Sequence, residues 1–227
     1  MGDRGRKSKI VINTKWSGNL AYAIGLITTD GYLSKTSYLI DLTSNDREQL
    51  ENFNKCIGVN IKIGLKNSGL NKKGLRVQIK NKKFYEFLLL IGLTPAKSKT
   101  IGAIDIPNEY FFDFLRGCFD GDGCFYSYWD KRWKSSFMFY TEFASASPKF
   151  VLWLQKRIFE HLSIKGHITK DGKGSTEQLK YAKADSIKIL SKMYYSRDVV
   201  CLSRKRLKIA QSFAKIGLKV KHINSST

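Results

Sequence analysis

The sequence predicts an α+β (α/β) protein made of two pseudo-symmetric repeats, each running helix, two strands, helix, two strands, helix (αββαββα). A motif occurs twice: LAYAIGLITTDGYL (Leu20–Leu33) aligns with FDFLRGCFDGDGCF (Phe112–Phe125) at an offset of 92 residues. Helix-like and strand-like stretches follow each copy in the same order, at offsets of 101 and then near 104 residues. Two copies of about 100 residues are too few for a solenoid, so the pattern indicates a duplicated unit with a pseudo-twofold axis.

The lead helix of each copy carries small residues four positions apart. They are Gly25 and Thr29 in the first copy, and Gly117 and Gly121 in the second. Because small residues at this spacing let two helix backbones approach closely, we expect the lead helices to pack on each other. Their C-terminal ends would then meet, each at an aspartate followed by a glycine that stops the helix. These aspartates are Asp30 and Asp122.

The second helix of the first copy lies within LTSNDREQLENFNKCIGV, residues 42–59. Ser44 and Asn45 are candidate N-caps, acidic residues follow in the first turn, and Leu50, Phe53 and Ile57 recur at helical spacing. The matching stretch of the second copy, FASASPKFVLWLQKRI (residues 143–158), places Ser145 on Ser44.

The later strands of the first copy alternate between apolar and polar side chains. IKIGLK (residues 61–66) and LRVQIK (residues 75–80) flank the glycine-rich segment NSGLNKKG and predict a hairpin. A two-stranded ribbon whose outer face offers only donors fits the DNA major groove. The predicted apolar face is Ile61, Ile63, Leu65, Leu75, Val77 and Ile79, and the predicted donor face is Lys62, Lys66, Arg76, Gln78 and Lys80.

The second copy has corresponding hairpins at residues 126–140 and 167–183, with a less regular alternation. Its aromatic residues fit either DNA contact or internal packing; they are Tyr126, Tyr128, Trp129 and Trp133. The segment AIDIPNEY (residues 103–110) is the predicted link between copies. The chain is therefore divided into an N-terminal repeat, residues 1–105, and a C-terminal repeat, residues 106–227.

The charge balance points to a polyanionic partner. Forty Lys and Arg residues against 19 acids give a net charge of +21, so nucleic acid is the leading partner, with anionic membrane second and a ribosomal or non-specific basic protein as the plain alternative. No apolar run reaches membrane-spanning length and the N-terminal residues lack a secretory signal. The four cysteines lack CxxC spacing and are expected to be reduced packing residues in an intracellular protein: Cys56, Cys118, Cys124 and Cys201.

One Asp-Gly step at a helix end is more typical of a turn than of a metal site. Two such steps at symmetric positions favour metal ligands, because each carboxylate faces the negative end of a helix dipole and also repels the other. A divalent cation shared by Asp30 and Asp122 removes both penalties, and oxygen ligands suit Mg²⁺. Asp120 is the weaker candidate because its counterpart in the first copy is Thr28.

AIGLITTDG (residues 23–31) and LRGCFDGDG (residues 115–123) resemble the two motifs of the LAGLIDADG homing endonucleases, in the branch that carries both repeats in one chain. The resemblance implies an antiparallel β saddle over double-stranded DNA, with the motif helices packed at the interface. It further implies that a monomer makes a double-strand break in a long asymmetric site, using two or three Mg²⁺ ions held by Asp30 and Asp122. The expected host is a bacterium, a phage or an organelle, with the gene inside an intron.

The same resemblance implies two catalytic lysines near the scissile phosphates, and Lys97 and Lys205 stand at comparable points of the two repeats. Either lysine is otherwise a phosphate-contacting or solvated residue. Related enzymes place water-positioning polar residues where this chain has Ser44 and Ser145, which equally serve as helix caps. Two alternatives remain open: an RNA-binding group I intron maturase on the same fold, with intron RNA as partner, and a DNA-binding regulator without cleavage.

Overall fold

The computed structural model describes residues 10–67, 73–172, 174–218 and 222–223, and it confirms the predicted order of elements. The first half comprises α1 (Gly18–Asp30), β1 (Gly31–Leu33), β2 (Leu39–Ser44), α2 (Arg47–Cys56), β3 (Gly64–Asn67), β4 (Lys73–Lys80) and α3 (Lys82–Leu90). The second half comprises α4 (Phe111–Asp122), β5 (Cys124–Trp129), β6 (Phe137–Ser145), α5 (Pro148–Leu162), β7 (His167–Lys170), β8 (Glu177–Tyr181) and α6 (Lys183–Met193). A further helix, α7 (Ser203–Lys215), follows the second half.

Each half contains one four-stranded antiparallel sheet, with strand orders β1-β2-β4-β3 and β5-β6-β8-β7. Alternate side chains of each sheet are buried under the helices, among them Leu42, Val77 and Phe143. The opposite faces carry the polar residues of the alternation. Leu42 pairs with Val77, and Phe143 pairs with Leu179. The offset between these last strands is therefore 102 residues, not the 104 expected from sequence.

The two halves join through α1 and α4, whose backbones touch. A Cβ atom on Gly25 would lie 2.7 Å from the Cys118 nitrogen and 2.8 Å from the Gly117 Cα. A Cβ on Gly117 would lie 3.0 Å from the Gly25 Cα. Such separations leave no room for a side chain, so the small-residue spacing has the effect that we expected: the lead helices pack directly on each other.

Three local expectations need correction. The N-cap of α2 is Asp46, whose side chain accepts from the Glu48 nitrogen, and not Ser44 or Asn45. The strand expected from residue 61 begins at Gly64, and the Ile61 carbonyl accepts from Asn54 Nδ2 of α2 at 2.7 Å instead of from a neighbouring strand. Cys124 is exposed, whereas Cys56, Cys118 and Cys201 are buried free thiols.

The described part of the predicted hairpin shows β3 paired with β4, while residues 68–72 of its loop lie outside the described residues. Within the described ranges no helix is both long and apolar enough to cross a membrane. The division of the chain after residue 105 stays a prediction.

Replacing either interface glycine should destabilise the fold. We expect Gly117→Ala to lower the free energy of unfolding by about 2 kcal/mol or more, because the added methyl group must push two backbones apart. The measurement is urea unfolding followed by circular dichroism. Gly102→Ala is the matched control, since a Cβ there meets no atom within 4 Å; equal losses in the two variants would contradict close helix packing.

Candidate functional site

The predicted carboxylates stand at the paired C-termini of α1 and α4. Asp30 and Asp122 are the last residues of these helices, and Gly31 and Gly123 are their C-caps. A Cβ built on Gly121 would lie 2.9 Å from Asp30 Oδ2, so the Asp30 side chain contacts the last turn of the opposite helix. The structure therefore brings both acids to one place at the interface.

The C-cap glycines have negative φ angles of −83° and −77°, so a left-handed backbone is not the reason for glycine at these positions. Space is the reason. A Cβ on Gly31 would lie 2.7 Å from the Ile27 Cα, and one on Gly123 would lie 2.6 Å from the Phe119 Cα. Glycine therefore lets each chain turn sharply from the motif helix into the first strand of its sheet.

Burial makes both carboxylates hard to ionise, and the charge of Asp122 adds to this effect at Asp30. Burial and, to a smaller extent, the negative charge of Asp122 raise the pKa of Asp30 to about 6. Burial also raises the pKa of Asp122 above its usual value. The two acids are thus held in an unfavourable electrostatic position, which is typical of residues placed for function rather than for stability.

Two lysines lie against this pair at pseudo-equivalent places. Lys97 Nζ donates to the carbonyl of Gly31. Lys205 Nζ donates to the carbonyl of Gly123 at 2.7 Å, to that of Asp120 at 3.0 Å and to that of Phe119. Each ammonium therefore satisfies carbonyl oxygens left free at the end of a motif helix. Burial lowers the pKa of Lys97 to about 8 and lowers that of Lys205 as well.

At the two motif carboxylates the leading lysine comes from the opposite half, although Lys205 interacts most strongly with Asp120 of its own half. Among the cations near Asp122, Lys97 lowers its pKa most, and Lys205 does more than Lys97 to lower that of Asp30. The segments that carry the lysines are also hydrogen-bonded to the opposite half. Ser147 Oγ of the second half donates to the Ile101 carbonyl at 2.5 Å.

On the other side, Asn52 Nδ2 of the first half donates to the Cys201 carbonyl at 2.9 Å. Ser203 N donates to Glu48 Oε1 at 3.0 Å, and Arg204 Nε pairs with Asp46 Oδ2 at 2.7 Å. These contacts hold the start of α7 against α2, so each lysine-bearing segment is fixed by the half to which it does not belong.

The Asp120 side chain has partners other than the two motif carboxylates. Its Oδ2 accepts from the Tyr22 hydroxyl at 2.7 Å and from the Leu202 nitrogen at 2.8 Å. Burial raises its pKa to about 6, against the opposing effect of nearby Lys205. Asp120 therefore anchors the segment that leads into α7 and is not grouped with the two motif carboxylates.

Sequence reasoning missed Gln49, which contacts Asp30 directly. Its Nε2 donates to Asp30 Oδ2 at 2.6 Å, and its Oε1 accepts from Ser44 Oγ at 2.9 Å. Ser44 in turn accepts from the Asp46 nitrogen at 3.0 Å. The sequence clue to this role is a polar residue next to Leu50, on the side of α2 that is buried. In the structure Gln49 is only 4% exposed. Ser44 therefore reaches the carboxylate through Gln49.

The second half has no amide at this place. The offset of 101 residues that relates Ser44 to Ser145 relates Gln49 to Phe150. Ser145 Oγ accepts from the Ser147 nitrogen at 3.1 Å, as Ser44 does from Asp46. Beside Asp122 there is a cavity of ≈ 290 Å³. Its lining includes Ser98, Ser145, Phe150, Thr28, Thr29 and Thr176.

The open face of the first sheet is not composed of donors only, as we expected from the hairpin. Asp41 of β2 lies among them: it accepts from Gln78 Nε2 at 3.1 Å and lies 3.7 Å from Arg76 Nη1. Lys66 Nζ donates to Thr43 Oγ1 at 3.0 Å on the same face. The acid comes from β2, which lies next to β4 in space and is not part of the hairpin, so the hairpin sequence alone does not record it.

The open face of the second sheet is aromatic. Tyr126 stacks on Tyr140 with ring centroids 5.2 Å apart, and Tyr128 stacks on the same ring at 6.3 Å. Glu142, at the position pseudo-equivalent to Asp41, pairs with Lys180 at 3.4 Å. Trp129 and Trp133 are 50% and 70% exposed and are available for external contacts.

The donor set fits a cation that is shared with a substrate. No group of three or more His, Cys, Asp or Glu side chains comes together in the part of the chain that the structure describes. Two carboxylates remain, at Asp30 and Asp122. Mg²⁺ is usually held by one or two carboxylates together with water and substrate phosphates, so two carboxylates are a sufficient protein contribution to such a site.

The chain has the fold of LAGLIDADG homing endonucleases, although no family model and no curated protein sequence matches it. It is similar to I-SmaMI bound to uncleaveable DNA with a TTCT central four, with a TM-score of 0.56 and 15% identity over 84% of this chain and 88% of that chain. It is also similar to I-DmoI in complex with DNA and Mn, with a TM-score of 0.51 and 16% identity over 78% and 96% of the two chains.

A third similar structure is the N-terminal LAGLIDADG domain of DUF199/WhiA, with a TM-score of 0.51 and 17% identity over 78% of this chain and 82% of that chain. Full-length DUF199/WhiA from Thermatoga maritima gives a TM-score of 0.56 and 15% identity, and the chain spans 63% of its length. Identities this low show a shared fold, which confirms the fold class expected from the two motifs.

Removing the charge of Asp30 should stabilise the metal-free protein at neutral pH. The pKa of Asp30 is about 6 in the folded state and 3.8 as its ordinary value. The folded state therefore binds a proton that the unfolded state releases between these values, so stability falls as the pH rises from about 4 to 6. We expect Asp30→Asn to raise the free energy of unfolding at pH 7.5 by about 1–3 kcal/mol.

The measurement is urea unfolding at pH 7.5 and near pH 4, with chelator present. The gain should shrink at the lower pH, where Asp30 is protonated in the folded wild-type protein. Asp105→Asn, which alters an exposed acid, should show little change at either pH. A variant that is no more stable than the wild-type protein at pH 7.5 would contradict the described electrostatics.

Proposed function

We propose that the protein is a sequence-specific DNA endonuclease that hydrolyses both strands of a long asymmetric site with Mg²⁺. The observation that carries this proposal is the pair of carboxylates at the ends of α1 and α4, flanked by two buried lysines on pseudo-equivalent carbonyls. Each repeat contributes one carboxylate and one lysine, so each repeat can serve one strand of a duplex.

Asp30 and Asp122 are the residues that would hold two or three divalent ions together with DNA phosphates. A divalent cation bound there would stabilise charge on the phosphate and lower the pKa of attacking water. Before binding, each carboxylate is penalised by burial. A bound cation would relieve that penalty, and a DNA phosphate would complete the coordination of the cation, which couples metal binding to DNA binding.

The lysines have unequal capacity to contact a phosphate. Within the described ranges Lys97 Nζ donates to the Gly31 carbonyl alone, so two of its three donors remain for phosphate oxygens. Lys205 Nζ has three carbonyl acceptors and no donor left. We assign Lys97 to direct stabilisation of the developing phosphate charge, and Lys205 to the same charge at longer range.

DNA recognition is assigned to the open faces of the two sheets. The net charge of +21 supports attraction to the phosphate backbone. Arg76 and Gln78 on the first sheet can donate to base edges, with Asp41 orienting both side chains. I-SmaMI and I-DmoI, which share the fold, were each solved with DNA.

A monomer is sufficient for this function because one chain provides both halves of the pseudo-twofold. The halves present different residues to DNA: Gln78 and Lys180 occupy pseudo-equivalent positions, as do Arg76 and Gln178. An asymmetric reading surface calls for an asymmetric target. The 105/106 division proposed from sequence is kept here as the boundary between the two repeats.

The central test separates binding from cleavage. A target is first selected from a pool of randomised duplexes by binding in Ca²⁺, and is then incubated with the protein in Mg²⁺ or Mn²⁺. We expect both strands to be cut. Asp30→Asn and Asp122→Asn should each lower the cleavage rate on the order of 100-fold or more, because each removes a charge that holds the cation.

Binding to the selected target in chelator, without metal, should be retained or become tighter in both variants, since each loses a negative charge. Asp105→Asn is again the matched acid-to-amide control and should cleave at the wild-type rate. Full cleavage by both motif variants would overturn the catalytic assignment. Tight, selective binding by the wild-type protein without any cleavage would favour the DNA-binding regulator instead.

Arg76 is expected to read a base and not only the backbone. Arg76→Ala should weaken binding to the selected target by about 1–3 kcal/mol and relax preference at particular base pairs. The measurement is the binding of single-base variants of the target in Ca²⁺. Lys208→Ala, an exposed cation on α7, is the charge control. A uniform loss across all sequences would mean that Arg76 contacts only phosphates.

A further inference from the structure

The two catalytic centres differ in how their carboxylates are held. Gln49 of α2 donates to Asp30, while the pseudo-equivalent position in α5 is Phe150, which cannot donate. The rest of the local frame is alike in the two halves. Each carboxylate ends a motif helix, each is followed by a glycine that accepts from a lysine, and each half has a serine before its second long helix.

The orientation of the Gln49 amide follows from its neighbours. Ser44 Oγ accepts from the Asp46 nitrogen at 3.0 Å, which leaves the hydroxyl proton free to point toward Gln49. The Gln49 atom that faces Ser44, at 2.9 Å, is therefore the acceptor Oε1. The NH₂ group must then face Asp30, whose ionised oxygens only accept. This chain of three hydrogen bonds fixes the Asp30 side chain.

Asp122 has a different environment. It borders the cavity of ≈ 290 Å³, which is lined by several hydroxyl groups. That volume exceeds the space needed by one water molecule several-fold. Polar walls of this kind are typical of a hydrated space and not of a dry one. Asp122 therefore borders a space large enough for water, whereas Asp30 accepts a hydrogen bond from the Gln49 amide.

We infer that Gln49 is a positioning residue for one of the two centres only, so that the two DNA strands are cut at unequal rates and a nicked duplex accumulates. The inference rests on the proposed endonuclease function. Outer hydrogen bonds to a ligating carboxylate commonly contribute 10- to 100-fold to metal affinity or activity. The structure provides one at Asp30, and the pseudo-equivalent Phe150 cannot provide it at Asp122.

The test uses the full chain and a duplex labelled differently on each strand. Wild-type protein should give unequal strand rates in Mg²⁺. Gln49→Leu, which keeps the size but removes the amide, should slow one strand by about 10-fold or more and change the other by less than about twofold. A general folding defect would slow both strands alike, so equal slowing, or none, overturns the inference.

Two matched comparisons sharpen the result. Ser44→Ala should slow the same strand as Gln49→Leu, because Ser44 holds the amide in place, whereas Ser145→Ala should leave that strand unaffected. Gln211→Leu is the matched control, because it removes an exposed amide on α7, outside the site. It should leave the ratio of strand rates unchanged.

A second readout does not depend on cleavage. Mn²⁺ is titrated into the complex with DNA and followed by electron paramagnetic resonance. Gln49→Leu should weaken one class of Mn²⁺ site by about 10-fold and leave the other unchanged; equal weakening of both, or of neither, overturns the inference. If the wild-type protein binds Mn²⁺ and DNA but cuts neither strand, the proposed function fails while this measurement still decides the role of Gln49.

Discussion

The direct contact between the α1 and α4 backbones at Gly25 and Gly117 determines the rest of the arrangement. A side chain at either position would separate the helices. With the helices in contact, their C-termini coincide, and the last residue of each is an aspartate. Two carboxylates and two negative helix ends are thereby forced into one region, which is unfavourable unless cations are nearby.

The surrounding structure supplies part of that positive charge. Lys97 and Lys205 come from corresponding points late in the two repeats, and each donates to the carbonyl of the glycine that follows a motif aspartate. Both lysines are buried, which lowers their pKa and shows that the protein itself does not fully balance the site. The raised pKa values of Asp30 and Asp122 show the same imbalance from the acidic side. The cost of burying these charges is not fully offset within the protein, and the proposed metal ion and phosphate would offset it.

The features that could be predicted from sequence were those that depend on the spacing of residues within a single segment of the chain. The repeated motif predicted two halves, and the small residues predicted the contact between Gly25 and Gly117. Contacts made across segments were not visible. Gln49 reaches Asp30 because the turn after β2 brings the start of α2 back over α1, and Asp41 joins the donor face because β2 lies beside β4. Both depend on tertiary neighbours that no local pattern records.

Because both halves lie in one chain, they can share a fold while carrying different side chains at corresponding positions. A homodimer has every residue twice, whereas here each position of one half has an independent counterpart in the other. Asp30 and Asp122 are matched, but Gln49 is paired with Phe150, and Gln78 with Lys180. The scaffold can therefore hold two carboxylates symmetrically while the groups that orient them, and the polar groups on the open faces of the two sheets, differ. The proposed substrate, a duplex whose two half-sites differ in sequence, suits a scaffold whose two halves differ in the same way.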